Sequence, residues 1–229
     1  MAFLQPQVPA ADHKRINGAI TITAVAPQST PGSESDKYAE GSHDAHRDEV
    51  QRLGHVTLPA KDNRNLPGSR AMIASVTTIH LDRLKSITTT LLPVRYSDKF
   101  FTECLEPEKY SAIAFVALYD SKAVGWIRCR VEPFPHAGNE IYQQIYIQAL
   151  GILAPFRNFG LATELLKAVV DQGTSNYPRV RSIRAHVWES NEDALAWYDK
   201  QGFKRIMLQP QYYRRLKPSG AWIVRKELE

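Results

Sequence analysis

Cysteine is nearly absent from this chain: Cys104 and Cys129 are the only two in 229 residues. Two thiols cannot build the multi-bridge framework of a small secreted domain, and their spacing is not that of a metal knuckle. Both are expected as reduced residues in or near the core, with a thiol acyl-carrier role as the weaker alternative. Long apolar runs are missing as well. No segment reaches the length that spans a bilayer, and the first residues lack the basic-then-apolar order of a secretory signal. The expectation is an intracellular protein without a membrane partner, cytoplasmic, with the nucleus open as a second compartment. A large excess of one charge is also lacking: 29 Lys and Arg stand against 24 Asp and Glu, a net charge of +5. What is present, 43% apolar and 23% charged residues, suits a globular protein with one sizeable core, or one domain and a tail.

Residues 1 to 70 differ in texture from the rest. They are rich in Pro, Gly, Ser, Asp and His, and hold one short apolar run of strand-like alternation, Ala19 to Ala26. They are read as an extension, disordered or loosely ordered, outside a domain of residues 71 to 229. Four of the seven histidines, His13, His43, His46 and His55, lie in it. Their irregular spacing, with no neighbouring cysteine, favours a solvated tail over a metal site, and no metal is expected. The extension holds eight Lys and Arg and eight Asp and Glu, so the net +5 belongs to the remainder, 21 against 16. Arg179, Arg181 and Arg184 alternate along one strand approach, while Arg214, Arg215 and Lys217 cluster behind two tyrosines. A solvated face, attraction of a phosphate-bearing ligand and attachment to ribosomal RNA are three readings of this balance.

The domain alternates strand and helix signals. Met72 to Val76 is a first short strand, and Ile79 to Leu92 is helical until Pro93 ends it. Ser97 or Asp98 can cap a second helix through Leu105. Ala112 to Leu118 and Ala123 to Val131 are strands joined by Tyr-Asp-Ser-Lys, a hairpin signal. Pro133, Pro135 and Gly138 mark a loop before a strand from 143 to 153. A helix from 160 to 173, a strand from 181 to 187, a helix from 191 to 201 and strands from 203 to 208 and 221 to 227 complete the order. Helices between strands after a hairpin predict an α/β fold with a mixed sheet.

The most informative stretch joins the strand ending near 153 to the helix that carries Ala162, Leu165, Leu166, Val169 and Val170 at helical spacing. The first turn of a helix leaves N–H groups without intrahelical partners, and the helix dipole adds partial positive charge there. Phosphate oxygens are attracted to such an end. Gly160 lets the backbone approach a ligand, Ala162 keeps the next turn small, and Arg157 adds a permanent cation. Pro155 is a plausible stop to the strand. Arg-x-x-Gly-x-Ala alone is a weak signal, and its rival is an ordinary strand-to-helix turn with a surface arginine. A second strand-helix unit, from Ile183 through His186, Asn191, Ala194 and Tyr198 to Gly202 and Phe203, raises its weight.

Together the Arg157 to Ala162 turn and the Asn191, Ala194, Tyr198, Gly202, Phe203 pattern resemble the GCN5-related N-acetyltransferase (GNAT) superfamily. Within it, the segments from Pro93 to Phe100 and Tyr146 to Arg157, His186-Val187 and Tyr212-Tyr213-Arg-Arg resemble the NatE-type N-terminal acetyltransferases, over roughly residues 72 to 229. The resemblance implies a GNAT fold: a mixed, mostly antiparallel central sheet flanked by helices, in which the fourth and fifth strands, 143 to 153 and 181 to 187, splay apart. Backbone groups freed by the splay can be satisfied by the pantetheine chain of acetyl-CoA. The resemblance assigns Leu150, Ile152, Arg157, Asn158, Phe159, Gly160, Leu161, Ala162, Asn191 and Tyr198 to this cosubstrate. For Tyr198 the rival role is packing with Trp197 and Phe203. For Asn191 the rival is helix capping, while Ser190 with Asp193 also looks like a cap.

Acetyl transfer to an amine needs an unprotonated nucleophile and a route for its proton, and a free α-amine has a pKa of about 8. The resemblance matches Tyr146 and His186 to the catalytic pair, acting through an ordered water; the rival for a lone strand histidine is a hydrogen-bonded core residue. It places the peptide N-terminus in a slot of Leu92, Pro93, Val94, Tyr96, Tyr212, Tyr213 and Leu216, apolar with phenolic donors. Leu92 and Leu216 stand where the family has Phe and Ile, changes that keep the slot apolar and loosen selection. The family's substrates are nascent chains that retain the initiator Met followed by a hydrophobic residue. The partners so implied are nascent polypeptide N-termini, the NatA auxiliary and catalytic subunits and, indirectly, the ribosome, without sequence-specific nucleic acid. Two alternatives stay open: a lysine or polyamine acetyltransferase, and a weakly active or non-catalytic subunit that docks on NatA.

Overall fold

A computed structural model of the chain describes residues 21–23, 56–57, 70–92, 94–110, 112–135 and 141–228. Its strands are β1 (Thr21–Thr23), β2 (Val56–Thr57), β3 (Ala71–Ser75), β4 (Ala112–Tyr119), β5 (Lys122–Pro135), β6 (Ile141–Ile152), β7 (Val180–Trp188), β8 (Lys204–Gln209) and β9 (Ala221–Glu227). Its α-helices are α1 (Leu81–Leu91), α2 (Asp98–Thr102), α3 (Pro107–Tyr110), α4 (Leu161–Asn176) and α5 (Glu192–Lys200). The strands form one mixed sheet in the order β2-β3-β4-β5-β6-β7-β9-β8, with β1 added on β6. Every pair is antiparallel except β6 with β7. The fold is the mixed α/β sheet expected from the order of sequence signals, with the fourth and fifth strands of the family pattern realised as β6 and β7.

The hairpin expected at Tyr-Asp-Ser-Lys forms where Asp120 and Ser121 both take left-handed backbone, with φ of 49° and 60°. A two-residue turn needs that pair because its twist matches the twist of the strands it joins. The expected loop at Pro133 and Pro135 is corrected: both prolines belong to β5, opposite Gln143 and Ile141 of β6. They are tolerated because β4 pairs with β5 only as far as Arg130. Beyond it β5 has one neighbour, and a proline can turn its missing N–H to the open edge.

Helices cover both faces. On one, α4 buries Leu161, Leu165, Leu166 and Val169, each contributing roughly 2 kcal/mol of apolar burial. Gly173 lets α4 lie close to the sheet, since a Cβ there would meet Ile145 Cδ1 at 2.4 Å. On the other face α1 buries Leu84 and Ile87 against Trp126 and Ala149. Thr88 of α1 donates to the Leu84 carbonyl at 2.6 Å and accepts from Trp126 Nε1 at 3.0 Å, so the indole N–H is satisfied in the core. Cys104 and Cys129 are buried free thiols, and burial pushes Cys104 up to about 11, away from thiolate reactivity.

Two local expectations shift. The second helix is α2 followed by a 3-10 turn at Glu103–Leu105, and the Ser97 side chain makes no cap hydrogen bond. At α5 the cap is Asn191, whose side chain accepts from Ala194 N at 3.1 Å, rather than Ser190. The four histidines of the extension lie outside the described residues. Within that extension β1 and β2 are described, and both pair with the sheet.

Candidate active site

β6 is the element on which the site is built. At its start it pairs in parallel with β7, from Gln143 with Val180 to Tyr146 with Arg184. Past Tyr146 the two strands part, as the splay expected from the sequence requires. β5 stays paired along the other edge of β6, but with a bulge between Arg128 and Cys129, opposite Ile147 and Ala149, that leaves Gln148 as the extra residue. Tyr96 reaches this bulge and donates to the Gln148 carbonyl at 3.3 Å.

Tyr146 and His186 meet at the point of divergence. The Tyr146 hydroxyl is 3.0 Å from His186 Nδ1 and 3.0 Å from the Tyr212 hydroxyl. Tyr146 is 1% exposed and His186 5%. Arg184 lies over the Tyr146 ring at 4.8 Å, and the His186 ring stacks on Tyr212 at 4.2 Å with 9° between planes. Burial raises the Tyr146 phenol well above its usual value, with Tyr212 adding to the rise, so at neutral pH it is an uncharged hydroxyl. Burial lowers His186 to about 4 despite a raising hydrogen bond from Gln209. At neutral pH the imidazole is therefore uncharged, with one N–H and one bare ring nitrogen.

The remaining peptide-slot residues fall unevenly. Tyr213 is buried and its hydroxyl donates to the His186 carbonyl at 3.4 Å. Tyr96 stacks on Phe100 at 4.1 Å, and burial pushes its phenol well above the usual value. Leu92 is buried in the α1 layer, while Val94 and Leu216 are half-buried. Pro93 lies outside the described residues.

On the other side of the divergence a cleft of about 190 Å³ opens between the end of β6 and the start of α4. Leu150, Ile152, Arg157, Asn158, Gly160, Leu161 and Ala162 line it, all expected there, together with Thr163, Trp197 and Gln201. Asn158 and Gly160 hold left-handed backbone, with φ of 65° and 83°. A Cβ at Gly160 would meet nothing within 4 Å, so glycine serves the backbone angle rather than a steric need of the protein. The first helical bond into α4 runs from Glu164 N to Gly160 O, which leaves the N–H groups of Leu161, Ala162 and Thr163 without intrahelical acceptors. Arg157 is held by Nε donating to the Ile152 carbonyl at 2.9 Å. The donor set suits a pyrophosphate.

Phe159, Asn191 and Tyr198 do not line this cleft. Tyr198 is fully buried, with ring contacts to Trp197 at 5.0 Å and Phe203 at 4.8 Å, and its hydroxyl has no hydrogen-bond partner among the described residues. Packing accounts for the ring but not for that hydroxyl. Two side chains were not singled out by the sequence: Gln209, 3.1 Å from His186 Nε2, and Arg128, buried beside the bulge. Neither belongs to a motif, and no local signal marks them.

Residues 81–203 match the model of the acetyltransferase (GNAT) family. N-alpha-acetyltransferase 50 of Danio rerio is 34% identical over 163 residues, covering 69% of this chain and 89% of that protein. Naa50 of Arabidopsis thaliana, solved with the bisubstrate analogue CoA-Ac-MVNAL, is 32% identical, with a TM-score of 0.58 over 69% of this chain and 99% of that one. Arabidopsis thaliana NAA60, solved with acetyl-CoA, shares the fold with a TM-score of 0.62 at 18% identity, over 69% of this chain and 98% of its own. Among the described residues no group of His, Cys, Asp and Glu could hold a metal ion, and no helix is long and apolar enough to cross a membrane. With its splayed sheet, its phosphate-suited turn and these relatives, the chain belongs to the acetyltransferase (GNAT) family, as an N-alpha-acetyltransferase that takes its acetyl group from acetyl-CoA.

Proposed function

We propose that the chain acetylates polypeptides that retain their initiator Met followed by a hydrophobic residue, with Tyr146 and His186 as the proton-removing pair. The observation that carries this reading is the 3.0 Å contact between the Tyr146 hydroxyl and His186 Nδ1 at the mouth of the splay. The α-amine loses its proton through the Tyr146 hydroxyl to His186, directly or by one water, and the amine nitrogen attacks the thioester carbonyl carbon. Collapse breaks the C–S bond and leaves a thiolate to be protonated. For that last role the family resemblance offers the Tyr198 hydroxyl, which has no hydrogen-bond partner among the described residues and whose ring contacts the cleft residue Trp197.

Proton removal favours an α-amine over a lysine whichever base receives the proton. Handing a proton from an α-amine of pKa about 8 to a base near 4 is uphill by about 4 units. From a lysine near 10.4 it is steeper by roughly 3 kcal/mol more. The slot supports an apolar first side chain: Leu92 and Tyr213 are buried, and Val94 and Leu216 are half-buried. The Arabidopsis relative was solved with an analogue that carries Met at its peptide start, which supports the same reading. Family resemblance alone supports a cytoplasmic setting beside the NatA subunits and the ribosome.

The test is acetyl-CoA turnover against a Met-Leu peptide, a Ser-starting peptide and an N-blocked lysine peptide. The Met-Leu peptide is expected to lead in kcat/KM by at least about tenfold, a hydrophobic pocket's usual discrimination. Its kcat/KM is expected to rise with pH up to about 8, where the amine loses its proton, and then to level. Preference for lysine would overturn the reading, and folded protein without turnover on any peptide would move it to the docking subunit.

A further inference from the structure

His186 is held at three points, two on its ring and one on its backbone, by one connection, the residues from Gln209 to Tyr213 at the end of β8. Tyr212 stacks on the ring, Tyr213 donates to the His186 carbonyl, and Gln209 Oε1 lies 3.1 Å from Nε2. Both ring nitrogens are therefore engaged, Nδ1 by the Tyr146 hydroxyl and Nε2 by the amide oxygen. A neutral imidazole has one N–H and one bare nitrogen, and the partner of one fixes the role of the other. An amide oxygen can only accept. We infer that Gln209 is a positioning residue that holds His186 in the Nε2–H tautomer, leaving Nδ1 bare to take the proton relayed by Tyr146. This rests on the reading of Tyr146 and His186 as the catalytic pair.

The rest of the surroundings do not make this choice. The charged groups that act on His186 are Arg184 on its own strand, which lowers its pKa, and Glu132 on β5, which raises it. Glu132 is itself occupied by Arg130, Gln144 and Arg184. Tyr146 and Tyr212 are hydroxyls that donate or accept as needed, so they follow the tautomer rather than set it. Gln209 is half-buried as the last residue of β8, opposite Ala221, and the strand pairing fixes its backbone.

Nitrogen-15 NMR of the imidazole, in full-length protein without substrates, reads the tautomer directly. Wild type is expected to show Nε2–H, and Gln209→Leu a mixture with Nδ1–H. In the same variant kcat is expected to fall about tenfold with the peptide KM within about twofold, as for loss of one oriented general-base contact. Gln209→Glu is expected to raise the His186 pKa by about 1 to 2 units, through a carboxylate at hydrogen-bond distance, and to move the acid limb of the kcat profile up with it. An unchanged tautomer in Gln209→Leu, or an unchanged kcat despite a changed tautomer, overturns the inference. Full activity of His186→Ala would instead overturn the catalytic pair itself, which separates the two failures.

A second observation stands apart from the first. β1 pairs with β6 at Thr21 with Gly151, Ile22 with Leu150 and Thr23 with Ala149, on the edge of β6 that β7 has left, and it lies beside β7. This is the edge whose backbone groups an incoming pantetheine chain would pair with. The geometry points to one strand-accepting edge with two alternative occupants, segment 21–23 of this chain and the arm of the acyl donor. This rests on the acetyl-CoA reading of the cleft. Acetyl-CoA then binds only the fraction of molecules in which the edge is free, and its apparent Kd is the intrinsic Kd divided by that fraction.

The full-length triple variant Thr21→Pro, Ile22→Pro, Thr23→Pro removes the N–H donors of the segment whichever of them face β6. Calorimetry with acetyl-CoA is expected to give an apparent Kd at least about threefold lower than wild type. An equal or higher Kd overturns the competition. No measurable binding by either protein would overturn the cofactor reading instead.

Discussion

Replacing Tyr146 with Phe, or His186 with Ala, is expected to lower kcat for acetyl transfer by about 10² to 10⁴, the range of a lost general acid-base group. The phenylalanine keeps the ring under Arg184 and deletes only the oxygen that bridges His186 Nδ1 and the Tyr212 hydroxyl. Steady-state kinetics with a Met-Leu peptide reads the loss, and calorimetry with acetyl-CoA serves as the control, because neither side chain lines the cleft at the start of α4. Because the two groups act in one relay, the double variant is expected to be little worse than the poorer single one. Retention of kcat within about threefold by either variant would refute the relay.

Glu103→Ala is expected to cost about 3 to 5 kcal/mol of stability, measured by urea unfolding with the slope checked for change. Arg128 is 2% exposed, its guanidinium lies 4.0 Å over the Phe100 ring, and Nη2 bonds Glu103 Oε2 at 2.5 Å. Its Nε has no partner among the described residues, so the carboxylate carries much of the burden of keeping a cation inside. Removing that carboxylate strands the charge. Removing both ions, as Arg128→Met with Glu103→Leu, is expected to restore most of the loss, since well-packed apolar groups often replace a buried pair without penalty. A single-variant loss below about 1 kcal/mol would show that the pair is not structurally needed. The same contact steadies Phe100, on which Tyr96 stacks, so the variant is also expected to raise the peptide KM.

How much of this was legible in the sequence depends on how local each cause is. The α4 stripe and the turn before it follow from short-range spacing, and both stand where the sequence put them. Pro133 and Pro135 look like loop in the sequence because proline weakens a strand locally. Their tolerance depends on where β4 stops, which is fixed by an adjacent strand and not by their neighbours in sequence. Asn191 and Ser190 are equally good caps by type, and backbone geometry chose the former. Tyr146 and His186, forty residues apart, come together only through the parallel pairing of β6 with β7, so their pairing was visible in the sequence through family resemblance alone. Gln209 and Arg128 reach partners 23 and 25 residues away without any motif, and nothing short of the fold connects them.

The bulge at Gln148 puts the two halves of β6 out of phase. Gln144 and Tyr146 share a face with Ala149 and Gly151, although even and odd positions of an unbroken strand point to opposite sides. The half that carries Tyr146 and the half that lines the cleft at the start of α4 are thus two alternations joined by one added residue. Without that residue, the frame that puts Ala149 against α1 and Leu150 on the α4 side would turn Tyr146 away from His186. The face of the sheet that brings Tyr146 to His186 therefore rests on a count of residues between two sites, a property that any substitution preserves and a single deletion destroys.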